Sequence, residues 1–410
     1  MKKRTICRLI MLLFMMGIMG CGVKSDEDLA DTEAEKNAKR QELILWTYYE
    51  TEAQKKGLDK LVAGFNEAQQ QYKISWEYVP MADFIRTLSF LQSGESLPDL
   101  VLADNPDIGS LIKLGMLADI TDYLKETILA EEYYGEVWKS VENRERYYGV
   151  PFCCNNTAII YNKRIFREKD LEIPTTWDAF KQAAAALTKE GSRYGFAMSA
   201  VSGEQGAFQL MPWMLAAGAG PDHMADNGCK EVFFLIDGLL KNKYMPNDCL
   251  NWSQNDLTRS FVEGRTAMIE NGPWAMAELE ESGMEFGVFE FPAHTSQGVV
   301  IGGEVLAAVK GKNVEGAVSF INYYNKKEVM EDICQITRNI PPKVELAETF
   351  GQKNPQYQVF VSQMEDGISR KSIKDWKKVC NALSDSLNKM FGSGESVEEI
   401  WLQYVKDIER

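Results

Sequence analysis

Histidine is nearly missing from this chain, with only His223 and His294 in 410 residues. The eight cysteines contain no C-x-x-C pair, so the sequence offers no ligand set for zinc, and neither a metal nor a cofactor is expected. Also absent are a Gly-x-Ser-x-Gly elbow, a phosphate loop, a His-Glu-x-x-His helix and a dinucleotide fingerprint. Those absences remove the commonest hydrolase, nucleotide and oxidoreductase signatures, and no enzyme activity is predicted. No internal repeat occurs, and no apolar run is long enough for a comfortable membrane span.

Positive charge is also in short supply: 45 basic residues face 60 acidic ones, a formal charge of -15. Such a surface argues against nucleic acid, and against an anionic small molecule captured by a broad basic patch. Four basic residues, Lys2, Lys3, Arg4 and Arg8, lie in the first twenty. There a basic start leads through a short apolar run to Met19-Gly20-Cys21, the pattern of a secretory signal over residues 1–20. Residues 21–41 are polar, lack apolar periodicity and read as a flexible tether. Six cysteines remain beyond Cys21; buried thiols are the simplest reading, with one or two disulfides permitted by an oxidising compartment.

From Leu43 the pattern alternates strand and helix, which predicts an α/β fold with mostly parallel sheets flanked by helices. Leu43–Tyr48, Lys73–Val79 and Asp99–Leu102 read as strands; 54–70, 81–93 and 108–114 read as helices. Ligands of such sheets sit beyond the carboxyl ends of strands, which directs attention to 46–50 and 103–106. A second unit begins after Pro151, and the run Gly302-Gly303-Glu304 interrupts an apolar strand as a hinge would. Beyond Pro342 the chain is predicted to be helical, including 373–391 and 396–408.

Five segments then carry a resemblance: Leu45 to Tyr49; Pro98 to Val101 with Gly115 to Asp119; Tyr148 to Phe152 followed by Tyr161-Asn162-Lys163; Pro174 to Trp177; and Phe261 to Trp274. In this order they resemble the extracellular solute-binding proteins of sugar ABC importers, of the maltose and multiple-sugar type. The resemblance implies a two-lobe, type II periplasmic-binding-protein-like fold, with lobe 1 over 42–151 plus 303–345 and lobe 2 over 152–302 plus 346–410. It also implies a monomer that closes on a carbohydrate ligand and delivers it to the transmembrane subunits of an ABC permease. Met19-Gly20-Cys21 resembles a lipobox, with Cys21 lipidated and the body anchored at the extracellular face of the cell membrane.

Carried across by position, Trp46, Tyr48 and Glu50 fall at the first strand exit, and Asp104 and Asn105 match a polar pair that bonds sugar hydroxyls. Asn155 and Asn156 follow the first crossing, where maltose-binding relatives carry an acidic residue. Trp213 and Trp274 match stacking rings, Gly303 and Glu304 sit at the returning hinge, and Arg338 is the remaining polar candidate. The chemistry is independent of the family: a pyranose has apolar faces and a girdle of hydroxyls, matched by aromatic rings and by Asp, Asn and Glu at the rim. Two alternatives are a glycoside hydrolase pairing Glu50 with Asp104 or Glu270 with Glu304, and a sugar-binding sensor or adhesion lipoprotein without transport.

Overall fold

Two sheets, each with its own hydrophobic core, are built from strands that the chain visits out of order. The structure, a computed structural model, describes residues 40–91, 97–124 and 127–409. The signal segment and Cys21 lie outside the described residues.

The first sheet runs Tyr72–Tyr78, Gln41–Thr47, Leu100–Asp104, Glu304–Ala308, Val150–Pro151. Its first three strands are parallel, as alternation with helices predicts. The helix Glu52–Ala68 between two of them starts on a capping box of Thr51 and Gln54 and buries Leu58, Leu61 and Phe65. Glu304–Ala308 runs antiparallel to both neighbours, placing Glu304 opposite Asp104. The second sheet runs Phe286–Phe289, Ala158–Asn162, Thr266–Asn271, Tyr194–Ala197, and only its last pair is parallel. The sheets are therefore mixed rather than mostly parallel. A strand that returns from the other lobe arrives without a crossover helix of its own and is free to pair in the opposite sense.

One core gathers residues from Leu43 to Cys153 and from Val305 to Leu346. The other gathers residues from Cys154 to Ile301, Ile340, and Ala347 to Tyr404, with Tyr134 and Val137. The chain changes core between Cys153 and Cys154, again across Gly302 and Gly303, and a third time near Ile340. These crossings lie side by side: Asn155 and Gly302 exchange backbone bonds of 3.1 and 2.8 Å, and Cys154 N–H donates to Ile340 O at 3.0 Å. Gly303 has a φ of +127°, and a Cβ there would lie 2.3 Å from Cys153 O, so only glycine fits this junction.

The break read at Gly302-Gly303 divides two strands that belong to different sheets: Val300–Ile301 pairs with Ile368–Ser369, and Glu304–Ala308 with the first sheet. The helix expected over 108–114 begins earlier, at Asn105, because Asp104 caps it and Pro106 suits its first turn. The long C-terminal helix is Trp376–Gly392, starting three residues later than expected. All six cysteines after Cys21 are free and buried. No helix among the described residues is long and apolar enough to cross a membrane.

Candidate functional site

The strand Leu100–Asp104 is buried at every position and ends where the two lobes meet. Asp104 Oδ1 accepts the Asn105 backbone N–H at 2.9 Å, which turns the chain into the helix Asn105–Lys113 and leaves both side chains at the lobe boundary. From the second lobe Arg370 reaches this corner. Its Nη2 donates to Asp104 Oδ1 at 3.0 Å and to Asn105 Oδ1 at 2.8 Å, and its Nη1 donates to Glu204 Oε1 at 2.8 Å. The guanidinium lies 4.7 Å from the centre of the Phe208 ring, and Arg370 is only 3 % exposed. Glu204 also accepts the Trp376 indole N–H at 2.9 Å.

Burial raises the Asp104 carboxyl above its ordinary pKa despite the opposing pull of Arg370. Asp107, on the next turn, is pushed up to about 7 by desolvation, with Asp104 and Glu204 adding to the rise. A corner with Asp104, Asp107 and Glu204 around one guanidinium is thus a dense set of donors and acceptors, with Phe208 and Trp376 supplying rings.

Glu304 forms a neighbouring cluster. Its carboxylate accepts from Tyr48 OH at 3.1 Å, Tyr49 OH at 3.3 Å and Cys153 Sγ at 2.6 Å, while Asn339 Nδ2 donates to Tyr49 OH at 2.8 Å. Desolvation, opposed by those hydrogen bonds, moves the Glu304 pKa up to about 6. Further along the boundary, exposed Glu50 in the first lobe accepts from Asn255 Nδ2 of the second at 3.1 Å.

The sequence-predicted residues divide accordingly. Tyr48, Asp104, Asn105, Gly303 and Glu304 share one corner: Tyr48 bonds Glu304, Glu304 pairs across the sheet with Asp104, and Asn105 N–H donates to Gly303 O at 3.0 Å. Glu50 contributes a separate contact between lobes. Asn155 belongs to the crossing itself, its side chain packed where a Cβ on Gly302 would sit.

Two expectations, Trp213 and Asn156, need correction, and Trp46 and Arg338 make contacts elsewhere. Trp213 is fully buried among Trp177, Phe180, Phe196 and Phe291, and its N–H is held by Glu270 Oε2 at 2.9 Å, so it presents no face for stacking. Asn156 is fully buried too, donating to Phe360 O at 2.8 Å and accepting from Gln363 at 3.0 Å, a brace for the third crossing's following helices. Trp46 is 8 % exposed and donates to Glu77 at 2.8 Å on the neighbouring strand. Arg338 closes the helix Lys327–Thr337 in a left-handed conformation and pairs with Glu280 at 3.4 Å. Trp274 is half-buried against the second core, with its indole nitrogen buried and unpartnered.

The paired-carboxylate alternative also loses one pair, because Glu270 is fully enclosed in the second core. Arg370, Glu204, Phe208 and Trp376 escaped the sequence reading. Only Trp376 left a signal, an aromatic following Lys374-Asp375 at a helix start.

Two cores linked by three adjacent crossings, with polar side chains meeting between them, define a two-lobe binding protein. The chain belongs to the bacterial extracellular solute-binding protein family, whose model matches residues 60–359. It is similar to the "Multiple sugar-binding protein" of Streptococcus mutans, 25% identical over 304 residues, covering 68% of this chain and 71% of that one. It is also similar to the "Maltooligosaccharide ABC transporter solute-binding lipoprotein" of Streptococcus pneumoniae, 22% identical over 417 residues, 95% of this chain and 93% of that one. Among solved structures, the GacH receptor of Streptomyces glaucescens, determined unliganded and with acarbose, superposes with a TM-score of 0.80 at 19% identity. That superposition covers 90% of this chain and 98% of the receptor, a likeness of fold.

Proposed function

We propose that this chain captures a carbohydrate between its lobes and hands it to the membrane subunits of an ABC importer, tethered outside the cell through lipid on Cys21. The observation that carries the reading is the Arg370 corner, where Asp104 and Asn105 of one lobe and Glu204, Phe208 and Trp376 of the other converge. Carboxylate and amide oxygens there suit paired hydroxyls, and half-buried Trp376 offers an apolar ring to a sugar face. The relatives named for sugar binding and for ABC transport support the substrate class and the partner. The lipoprotein among them supports the anchor.

Binding by such a protein needs a difference in affinity between open and closed arrangements, and contacts made only across the lobes supply that difference. A thermal-shift screen of the purified protein against mono-, di- and oligosaccharides tests the reading, since a ligand of the native state raises apparent stability by mass action. A shift with one saccharide class, without cleavage of that saccharide on long incubation, is expected. No shift across the panel would refute carbohydrate capture, and cleaved product would replace it with hydrolysis.

A further inference from the structure

A groove of about 770 Å³ opens beside Arg370, between the first-lobe helix Asn105–Lys113 and the start of the second-lobe helix Trp376–Gly392. Its walls carry Lys113, Lys371, Lys377, Lys378 and Arg370, and one carboxylate, Asp375. This balance is the reverse of the whole chain, where acidic residues outnumber basic ones by 60 to 45. Among the described residues none of the four lysines makes an ion pair, so the groove carries their charge uncompensated apart from Asp375. Four unpaired cations converging on one concavity repel one another, and they persist at a cost that a bound anion would remove.

Two further details point the same way. Arg370 is committed inward through its Nη atoms, but its Nε is buried without a hydrogen-bond acceptor. The helix Trp376–Gly392 starts in the groove with no side chain capping it, because Asp375 stands at the cap position in a left-handed conformation and makes no cap bond. Its first-turn N–H groups and dipole therefore add positive potential to that of the lysines. Lys371 is held below its ordinary pKa by partial desolvation that outweighs the pull of Glu142, as expected of an ammonium lacking a close counter-charge. Trp376 borders the same space, so an apolar ring and a cationic wall occur together.

We infer that the saccharide bound between the lobes carries an anionic substituent, seated in the groove formed by Lys113 of one lobe and Lys371, Lys377 and Lys378 of the other. The inference rests on the carbohydrate reading and narrows it. A uronate carboxylate, a phosphate and a sulfate share the required chemistry. Because the groove has walls from both lobes, the anion neutralises charge that the two lobes bring together on closing. It thus favours the closed form as well as binding to it.

Calorimetric titration of the purified protein with matched pairs tests this: trigalacturonate against galactotriose, maltose 6'-phosphate against maltose, and inorganic sulfate alone. At about 20 mM salt an acidic member should bind at least about tenfold more tightly than its neutral partner, and the gap should narrow at about 500 mM. A Lys371→Gln, Lys378→Gln double variant should weaken the acidic ligand by about tenfold or more, while the melting temperature of the unliganded protein holds or rises slightly as the repulsion is relieved. The preferred pair tells carboxylate from phosphate. Neutral sugars binding as tightly as their acidic partners would overturn the inference and leave carbohydrate capture standing. Silence from every sugar would remove carbohydrate capture itself, and equal binding of free sulfate with no sugar contribution would also overturn the inference.

Discussion

Arg370 and Asp104 join the two lobes through a buried ion pair of 3.0 Å, with Glu204 held by the same guanidinium at 2.8 Å. Removing one partner of such a cluster strands the others without counter-charge in a low-dielectric site. Arg370→Met should lower unfolding free energy by about 3 to 5 kcal/mol at neutral pH, measured by urea denaturation. The loss should shrink as pH falls, because burial already raises the Asp104 carboxyl and protonation removes its stranded charge. A loss independent of pH would show that packing on Phe208, rather than charge, is what Arg370 supplies.

Glu304 gives stability a pH dependence of known sign. Its folded pKa is about 6 against an ordinary 4.5, so between those values the native state keeps a proton that the unfolded chain releases. Stability falls as pH rises through that window, by about 2 kcal/mol from this group. Glu304→Gln should abolish that part of the slope in melts collected from pH 4 to 7, and an unchanged slope would assign it elsewhere.

Glu270 lies in the second core, accepting from Trp213 at 2.9 Å and from Thr157 at 3.1 Å, and burial pushes its carboxyl well above the ordinary value. At neutral pH the unfolded state gains by ionising this group. Glu270→Gln should therefore hold or raise stability at pH 7, with the new amide donating to Thr157 and accepting from Trp213. Glu270→Ala leaves the Trp213 N–H without an acceptor and should cost about 1 to 3 kcal/mol in calorimetry.

Gly303→Ala should destabilise by more than about 2 kcal/mol, since the new methyl would meet Cys153 O and Cys154 Cα at a backbone angle that alanine avoids. Gly311→Ala, also at positive φ but with open space around its Cβ, isolates the contribution of the angle from that of the collision. Equal losses in the two variants would mean the crossing tolerates the methyl.

Trp376→Ala and Trp213→Phe should separate ligand contact from core packing. The first should weaken saccharide binding by about tenfold or more with little change in melting temperature. The second should lower melting temperature and leave affinity in place. A reversed pattern would return Trp213 to the site.

Alternation of strands and helices was legible because strands such as Gln41–Thr47 and Leu100–Asp104 are short, largely apolar and followed by an amphipathic helix, Glu52–Ala68 and Asn105–Lys113 respectively. The glycines at the second crossing were legible for the same local reason: two glycines inside an apolar run mark a break in it. Trp213 misled because an aromatic residue looks alike in sequence whether it faces ligand or core. Its helix, Glu204–Ala216, is buried from Gly206 onward, a property visible in the near-continuous apolar run but easily set aside for a tryptophan. Arg370 was invisible for a different reason. It stands in Arg370-Lys371-Ser372-Ile373-Lys374, which reads as a solvated basic turn, and its partners Asp104 and Glu204 are far away along the chain.

The strand Glu304–Ala308 lies between Leu100–Asp104 and Val150–Pro151, yet it follows the whole second sheet in the chain. During synthesis the lobe whose strands come first in the chain is thus the one whose sheet is finished last. Every strand of the other sheet can pair before the missing one emerges. The first lobe spends that interval with an open strand edge at Leu100–Asp104, beside the residues that later meet Arg370.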